Sequence, residues 1–387
     1  ISWYNSGKKH GNILYNMNDK GKLCFIIPEY DRETPTHFSY LYDFIEKISE
    51  GFDIFLIAER GRGNPPKGVN RFYIQKFQHP VLRVLENEIM IERARLAGYK
   101  TFYVHYSFLS AYHASIITRF WGGEVFYWNC GEPWKYKRGL IRNLFERAVY
   151  KLVHFLVTGT EGLKKKYAEY YGLSSEKIKV MSNWIDVSKI FRSATDVRID
   201  LKISLDIPAT SKVILFVHRL SKRKGAHYLP EILNELKDEN AVMVIIGDGP
   251  ERKDIESRVK NYELWSRARF CGWVPQKDLA RYFSIADVFI MPSDEEGFPH
   301  VLLEAMAYGV PFAAFDVGGV REIVPDQALE YVTPSGDVKL FAKKAIFFLS
   351  MPLESRTNLK EVLKKHVLNY DINLVVRHFQ VMTNSLV

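Results

Sequence analysis

Two glutamates eight residues apart, Glu296 and Glu304, stand in the stretch EEGFPHVLLEA. This spacing fits a surface helix, a metal site or a binding site for a polyhydroxylated ligand. The surrounding sequence predicts a strand, a loop and a helix that starts about Pro299 and ends at Gly309, because proline suits the first helical turn and glycine the position after the last. Glu296 is therefore expected in the loop, and Glu304 inside the helix.

The predicted helix start favours ligand binding over the other two interpretations. Free N–H groups of the first helical turn can bind a phosphate. On one side of that phosphate, a loop carboxylate can accept hydrogen bonds from sugar hydroxyls. On the other side, a helix carboxylate can accept hydrogen bonds from ribose hydroxyls. The acidic run Asp294, Glu295 and Glu296 lacks a histidine or further carboxylate at metal-ligand spacing. We therefore expect no metal, and we expect Asp294 and Glu295 to be solvated.

Two cations five residues apart, Arg219 and Lys224, follow the apolar run VILFV in VILFVHRLSKRKG. Across a turn they can clamp a diphosphate, Arg through paired hydrogen bonds and Lys as a point charge. The alternative is a solvated basic loop. Neither interpretation requires the preceding His218.

Two further motifs also follow apolar runs. Gly247 and Gly249 would let the backbone approach a flat ligand that Asp248 orients, although the same residues make an ordinary turn. In FCGWVP, Trp273 and the backbone at Val274 can frame a heterocyclic base, or the tryptophan can simply pack. Neither motif is specific by itself.

Apolar runs alternate with stretches of helical spacing along the chain. The runs predicted as strands are 22–28, 52–59, 100–106, 124–130 and 154–159, then 212–217, 242–247, 268–274, 287–292 and 311–316. Strands this apolar are typical of parallel sheets covered on both faces, whose ligands bind at the carboxyl ends of the strands. The predicted fold class is α/β, with two doubly wound domains in tandem.

Composition and charge limit the class of protein and the kinds of partner that the chain is expected to have. Hydrophobic residues make up 47% of the 387 residues and charged residues 26%, as in a soluble globular protein, and no apolar run reaches bilayer length. Residues 1–195 hold 29 Lys and Arg against 19 Asp and Glu, and the remainder holds 25 against 26. This asymmetry predicts an anionic partner for the first half. The three distant cysteines favour a reducing compartment, and the isoleucine at position 1 leaves room for a preceding segment.

Taken together, these motifs resemble those of retaining glycosyltransferases with the GT-B fold, two Rossmann-like domains facing across a cleft. Within that group the chain is similar to family 4, which includes hexosyltransferases such as phosphatidylinositol mannosyltransferase. The resemblance covers roughly 180–340. The matching residues are Arg219, Lys224 and Gly225; Gly247, Asp248 and Gly249; Gly272, Trp273, Val274 and Pro275; Glu296, Gly297, Phe298, Pro299 and Glu304; Gly318, Gly319 and Glu322; and Asn183 and Asp186 at the domain junction.

The resemblance implies transfer of a hexose from a nucleoside diphosphate sugar, with retention of anomeric configuration. Arg219 and Lys224 would hold the diphosphate, Glu296 the hexose and Glu304 the ribose. The family works without a divalent metal, so no metal and no cofactor are expected. The remaining donor-binding residues would be Gly247, Asp248, Gly249, Trp273, Val274, Gly297, Phe298, Pro299, His300 and Val301. The implied domains are 1–190 for the acceptor, 191–355 for the donor, and a segment 356–387 that crosses back.

The first half departs from the family pattern. Thr36 and His37 stand where a Gly-Gly loop is usual, and Cys130 stands where a histidine near the transferred sugar is usual. A thiol cannot act as that histidine does without a strongly perturbed environment. Asn129 can instead hydrogen-bond a sugar hydroxyl, and His105 is a further candidate unless it is simply packed. These five residues are the predicted acceptor side.

The excess positive charge is concentrated in residues 119–166, which hold ten Lys and Arg against four Glu. Within them, KYKRGLIRNLFERAVYKLVHF places Leu140, Leu144 and Ala148 on one helical face surrounded by basic residues. Such a helix can lie in the headgroup region of an anionic bilayer, or it can pack its apolar face on the core. We expect peripheral membrane contact through 133–166 and a cytoplasmic location on the inner face of the plasma membrane.

The acceptor is expected to be a glycan or a lipid-linked molecule, as in biosynthesis of cell-surface polysaccharides. Nucleic acid is not expected, because no recognised nucleic-acid module is present. Two alternatives stay open. One is an isomerase resembling a sugar-nucleotide 2-epimerase, which needs no acceptor, and the other is a non-catalytic protein that binds a sugar nucleotide.

Overall fold

A computed structural model describes residues 20–31, 38, 40–77, 79–192 and 198–384. The strands of the first half are β1 (Gly21–Ile27), β2 (Tyr30–Asp31), β3 (Phe52–Ala58), β4 (Gly61–Arg62), β5 (Arg71–Ile74), β6 (Thr101–His105), β7 (Glu124–Trp128), β8 (Phe155–Thr158) and β9 (Ile178–Val180). Within the described residues, seven of them form a parallel sheet in the order β5-β3-β1-β6-β7-β8-β9, and β2 pairs with β4. Residues of the central strand β1 from Leu23 to Ile27 are fully buried.

Helices connect these strands. They are α1 (Tyr40–Ile48), α2 (Pro80–Leu96), α3 (Phe108–Trp121), α4 (Leu140–Leu152), α5 (Glu161–Tyr171) and α6 (Val187–Arg192). Helix α5 is capped at its start by Thr160, whose hydroxyl accepts a hydrogen bond from the Leu163 N–H, and is followed by Gly172 in the left-handed conformation. Such side-chain caps satisfy N–H groups that the first turn leaves without a partner.

The second half repeats the alternation. Its elements are α7 (Arg198–Ser204), β10 (Lys212–Val217), α8 (Leu229–Glu235), β11 (Ala241–Ile246), α9 (Arg252–Asn261), β12 (Ala268–Gly272), α10 (Gln276–Ile285), β13 (Val288–Met291), α11 (His300–Tyr308), β14 (Phe312–Phe315), α12 (Val320–Ile323), β15 (Val332–Thr333), α13 (Val338–Leu349), α14 (Leu353–Val367) and α15 (Ile372–Asn384). Within 198–384, six strands form a parallel sheet in the order β12-β11-β10-β13-β14-β15. The predicted α/β fold with two parallel sheets is confirmed.

Helix α11 carries the predicted end signals. Pro299 precedes its first residue, and Gly309 follows its last with a φ of 68°. A residue with a side chain would be strained at that φ, so glycine allows the chain to leave the helix and enter β14. The predicted helix bounds are therefore confirmed.

The chain returns to the first domain at its end. Helix α15 packs on α1, and the Phe379 ring lies against Phe25, Phe44 and Tyr103. Among the described residues, no helix combines the length and the apolar character that crossing a membrane requires.

Candidate functional site

Glu296 and Lys224 form a buried ion pair at the carboxyl ends of β13 and β10. The Lys224 ammonium lies 2.8 Å from each oxygen of the carboxylate, and the two residues are 7% and 5% exposed. The Ser293 hydroxyl donates to Oε1 at 2.9 Å. Burial alone would raise the pKa of Glu296, but Lys224 and His218 hold it well below its ordinary value. The site therefore contains a permanent carboxylate matched by a cation.

His218 also reaches this carboxylate. Its Nε2 lies 3.5 Å from Oε1 of Glu296. Burial, together with Lys224, lowers the pKa of His218 to about 4, so the ring is neutral at pH 7. The sequence pattern did not single out His218. Its place directly after β10, at the sheet edge that also carries the loop of Glu296, is the signal that could have identified it.

Arg219 and the start of α11 are close in sequence to the two residues of the ion pair. Arg219 is exposed on the loop after β10, whereas Lys224 is buried in the turn that follows it. Helix α11 begins at His300, four residues after Glu296. A helix N-terminus carries a partial positive charge and free N–H donors, so this edge of the sheet can bind an anion.

Glu304 occupies the second turn of α11, as the spacing predicted. It is half-buried, and the Gln276 amide nitrogen lies 3.4 Å from its Oε1. Burial raises the pKa of Glu304 to about 7, with Gln276 opposing the rise. The carboxyl group is consequently divided between its protonated and ionised forms near neutral pH.

The glycines after β11 approach the chain's own backbone. A Cβ at Gly247 would lie 2.0 Å from the His218 carbonyl oxygen, and one at Gly249 would lie 2.3 Å from the Leu220 carbonyl oxygen. The Asp248 carboxylate accepts from the Gly249 N–H at 2.7 Å. The predicted close approach therefore involves the neighbouring loop 218–220, which these glycines allow to pack tightly.

Trp273 follows β12 at the same edge of the sheet. Its side chain is 62% exposed, and Val274 beside it is half-buried. An exposed indole at the carboxyl end of a strand is available to a planar ligand. Its role in framing a base stays a prediction.

Glu295 is buried, so the expectation that it is solvated is wrong. The Tyr136 hydroxyl lies 2.7 Å from both carboxylate oxygens, and the Arg223 guanidinium lies 3.8 Å away. Tyr136 belongs to the first domain, so this contact joins the two domains next to Glu296. Asp294 is half-exposed and accepts from the Tyr228 hydroxyl at 3.1 Å.

The turn after Glu296 also packs on the first domain. A Cβ at Gly297 would lie 1.6 Å from the Cys130 carbonyl oxygen, so only glycine fits there. The Phe298 carbonyl oxygen accepts from the Asn183 amide at 2.9 Å, within a buried contact. The cleft between the domains is therefore closed at this turn.

The start of α11 continues this interface. The His300 ring lies 4.3 Å from the Tyr40 ring and 6.3 Å from Trp184, while Pro299 and Val301 are buried. The predicted donor-binding residues 297–301 thus serve in domain contact in this state.

The predicted acceptor residues are mostly engaged within the first domain. Cys130 is buried, and burial raises the pKa of its thiol to about 12, so it stays protonated. The Asn129 amide donates to the Tyr150 hydroxyl at 2.9 Å, and its oxygen accepts from the Gly131 N–H at 3.0 Å. These contacts favour a structural role for both residues.

His105 is packed rather than presented to the cleft. It is fully buried, its ring stacks on Trp128, and its Nε2 lies 2.9 Å from the Tyr40 hydroxyl. Thr36 and His37 lie outside the described residues.

The last motif supports domain contact. The Glu322 carboxylate, at the start of the second domain's α12, accepts from the Gly162 N–H at 2.9 Å, in the first turn of α5 of the first domain. Among the described residues, no group of three His, Cys, Asp or Glu side chains is placed to hold a metal ion.

Comparison with known proteins finds a family match for the second domain. Residues 197–366 match the model of the family Glycosyl transferases group 1. An uncharacterized glycosyltransferase of Methanocaldococcus jannaschii is 32% identical over 171 residues, which are 44% of each chain. N-acetyl-alpha-D-glucosaminyl L-malate synthase of Bacillus anthracis is 27% identical over 295 residues, 73% of each chain. The match therefore spans less than half of the first of these relatives.

The fold extends the likeness to the whole chain. The Anabaena protein HepE, solved in complex with UDP, superposes with a TM-score of 0.77 over 94% of this chain and all of that one, at 16% identity. At this identity the likeness concerns the fold, which is the GT-B arrangement of two Rossmann-like domains. Residues 197–366 of the chain are accordingly similar to the family Glycosyl transferases group 1, within a chain that has the GT-B fold.

Proposed function

We propose that the protein transfers a hexosyl unit from a nucleoside diphosphate sugar to a glycan or lipid-linked acceptor, as a retaining glycosyltransferase of family 4. The observation that carries the proposal is the buried Lys224–Glu296 pair, with Arg219 and the N-terminus of α11 at the same sheet edge. A cation, a carboxylate and a helix N-terminus match the diphosphate and the hydroxyls of such a donor.

The proposed transfer needs no divalent metal. When the glycosidic bond breaks, negative charge develops on the leaving diphosphate. Arg219, Lys224 and the helix N-terminus supply fixed positive charge where it develops, which is electrostatic stabilisation of the transition state. Front-face attack assisted by the leaving phosphate would retain the anomeric configuration.

The proposal is tested by incubating the protein with a panel of nucleoside diphosphate sugars and candidate acceptors, and detecting products by mass spectrometry. We expect a product heavier than the acceptor by one hexosyl residue, that is, a hexose less water, at undiminished yield in EDTA. Conversion of the donor to an isomer without acceptor would instead support the epimerase alternative. Binding of the donor with no product from any acceptor would support the non-catalytic alternative.

Glu304 gives the proposal a pH dependence. Its pKa of about 7 lies above the ordinary carboxyl value, so the carboxylate that would accept ribose hydroxyls forms only as pH rises through 7. Affinity for an intact nucleotide sugar, measured by calorimetry, is expected to rise about tenfold between about pH 6 and pH 8. Glu304→Gln should bind more weakly and show no such rise. A flat wild-type curve, or an equal slope in the variant, would contradict this assignment.

The proposed location is the cytoplasmic face of an anionic membrane, with contact through 133–166. On α4, Leu140, Ile141 and Leu144 are 73%, 85% and 58% exposed, so the apolar face predicted there is not packed on the core. Basic side chains at Lys137 and Arg142 are exposed around it. Exposed apolar and basic residues together suit the headgroup region of an anionic bilayer.

Helix α2 also exposes apolar side chains. Val81, Leu82 and Leu85 near its start are exposed. Helix α2 packs against α3, and α3 packs against α4. Each of these helices follows the carboxyl end of a strand, so the exposed first turns of α2 and α4 lie at the same edge of the sheet. This placement supports a docking surface wider than the sequence pattern indicated.

A further inference from the structure

His218 contacts Glu296 but has no role in the function proposed above. Its backbone N–H donates to the Ile246 carbonyl oxygen at 3.0 Å, which continues the β10–β11 pairing and fixes the residue in place. Its ring nitrogen Nδ1 accepts from the Arg219 N–H at 2.9 Å, and Nε2 lies 3.5 Å from Oε1 of Glu296. Both ring nitrogens are therefore directed at defined atoms.

These contacts determine the tautomer of His218. A backbone N–H can only donate, so Nδ1 must carry a lone pair. In the neutral ring the proton is then on Nε2, where it points towards the Glu296 carboxylate. A separation of 3.5 Å is long for a hydrogen bond, but such contacts commonly shorten when substrate binds.

The two oxygens of Glu296 are unequally occupied. Among the described residues, Oε1 is approached by Lys224 at 2.8 Å, Ser293 at 2.9 Å and His218 at 3.5 Å. Within that same part of the chain, Oε2 accepts from Lys224 at 2.8 Å. A carboxylate oxygen has two lone-pair sites, so Oε2 retains capacity for another donor.

We propose that His218 is a positioning residue: its Nε2–H holds Oε1 of Glu296 so that Oε2 is presented to a hydroxyl of the donor hexose. This inference rests on the hexosyl transfer proposed above. The charged groups facing His218 are Lys224, Arg223 and Glu296. The neutral ring adds a donor without adding a third positive charge, which leaves the Lys224–Glu296 pair balanced.

Two amide substitutions separate the contacts of His218. His218→Gln has a side chain long enough for its amide N–H to reach Glu296. His218→Asn keeps a polar group beside the Arg219 N–H but is too short to reach the carboxylate. We expect His218→Asn to lower kcat/KM for transfer by about 10- to 100-fold, because the Glu296 carboxylate that binds the hexose is no longer held in its orientation. The Kd of the nucleoside diphosphate alone should change by less than about twofold, since that ligand lacks the hexose.

The conservative variant should restore much of the loss. His218→Gln is expected to recover about a third or more of the wild-type kcat/KM, and His227→Asn, on the same loop, serves as a folding-matched control. Profiles of kcat/KM between about pH 5 and pH 9 should have the same shape in the wild type and His218→Gln, because a neutral ring does not titrate there.

Several outcomes would overturn the inference. Wild-type kcat/KM in His218→Asn would do so, as would equal losses in transfer and in nucleoside diphosphate binding. A limb of the wild-type pH profile that disappears in His218→Gln would make His218 an acid–base group instead. Absence of product from the wild type with every donor would overturn the proposed function and this inference with it.

Discussion

Replacing Lys224 or Glu296 by alanine is expected to reduce hexosyl transfer by at least about a hundredfold in kcat. Lys224→Ala removes the cation proposed to lie next to the leaving diphosphate. Glu296→Ala removes the carboxylate proposed to accept hydrogen bonds from the hexose hydroxyls. Transfer is measured with the donor that the wild type uses, and folding by thermal melting. Lys222→Ala, an exposed lysine two residues earlier, is the matched control and should keep wild-type turnover.

Because Lys224 and Glu296 are a buried ion pair, a second variant is needed to separate loss of function from loss of stability. Removing one partner leaves an unpaired buried charge, which costs about 3–5 kcal/mol of stability. The double variant Lys224→Met with Glu296→Gln removes both charges at similar volume, so we expect it to melt closer to the wild type. A folded double variant with wild-type turnover would refute the assignment of these residues to the donor site.

Charge reversal at Lys137, which precedes α4, and at Arg142 on α4 is expected to release the protein from anionic vesicles. Lys137 and Arg142 are exposed, whereas Lys135 and Arg138 are ion-paired with the buried residues Glu132 and Glu146. Reversing only the exposed pair therefore tests docking without disturbing the fold. Loss of the two basic side chains alone removes about 2 kcal/mol of attraction, or about thirtyfold in binding, and repulsion of the two new carboxylates adds to the effect.

The measurement is flotation with vesicles of phosphatidylglycerol and with vesicles of phosphatidylcholine. Lys137→Glu with Arg142→Glu should weaken binding to the anionic vesicles, and Ile141→Ser with Leu144→Ser should weaken it independently of salt. Lys339→Glu with Lys343→Glu makes the same change of charge on exposed residues of the second domain and should leave binding intact. Unchanged flotation of both α4 variants would contradict membrane docking through this helix.

The fold could largely be predicted from the sequence, because buried parallel strands are uninterrupted apolar runs. All ten predicted strands are present. In the two main sheets the strands β5, β9 and β15 were not predicted, and each lies at an edge of its sheet. The two-residue strands β2 and β4, which pair with each other, were not predicted either. An edge strand has one neighbour and is short, so RFYI, IKV and VT carry too little apolar sequence to be recognised.

The functional site could be predicted from the sequence only in part. Pro299 and Gly309 are local signals, and they fixed the helix and the different positions of Glu296 and Glu304. Glu295 looked solvated because its partner Tyr136 lies 159 residues away in the chain. The contact between Gly297 and Cys130 is equally remote in sequence. Contacts of this kind depend on how two domains meet, which residue spacing does not encode.

The chain crosses between the domains twice in the described range, and the two crossings are joined. The Ile185 N–H donates to the Tyr370 carbonyl oxygen, and the Ile372 N–H donates to the Ile185 carbonyl oxygen, each at 2.9 Å. A single linker bends and twists about any axis, whereas two segments bonded side by side resist twisting. A hinge at this junction would therefore have to bend both segments together. A rotation of the domains about this junction would part Gly297 from Cys130 and Tyr136 from Glu295 together.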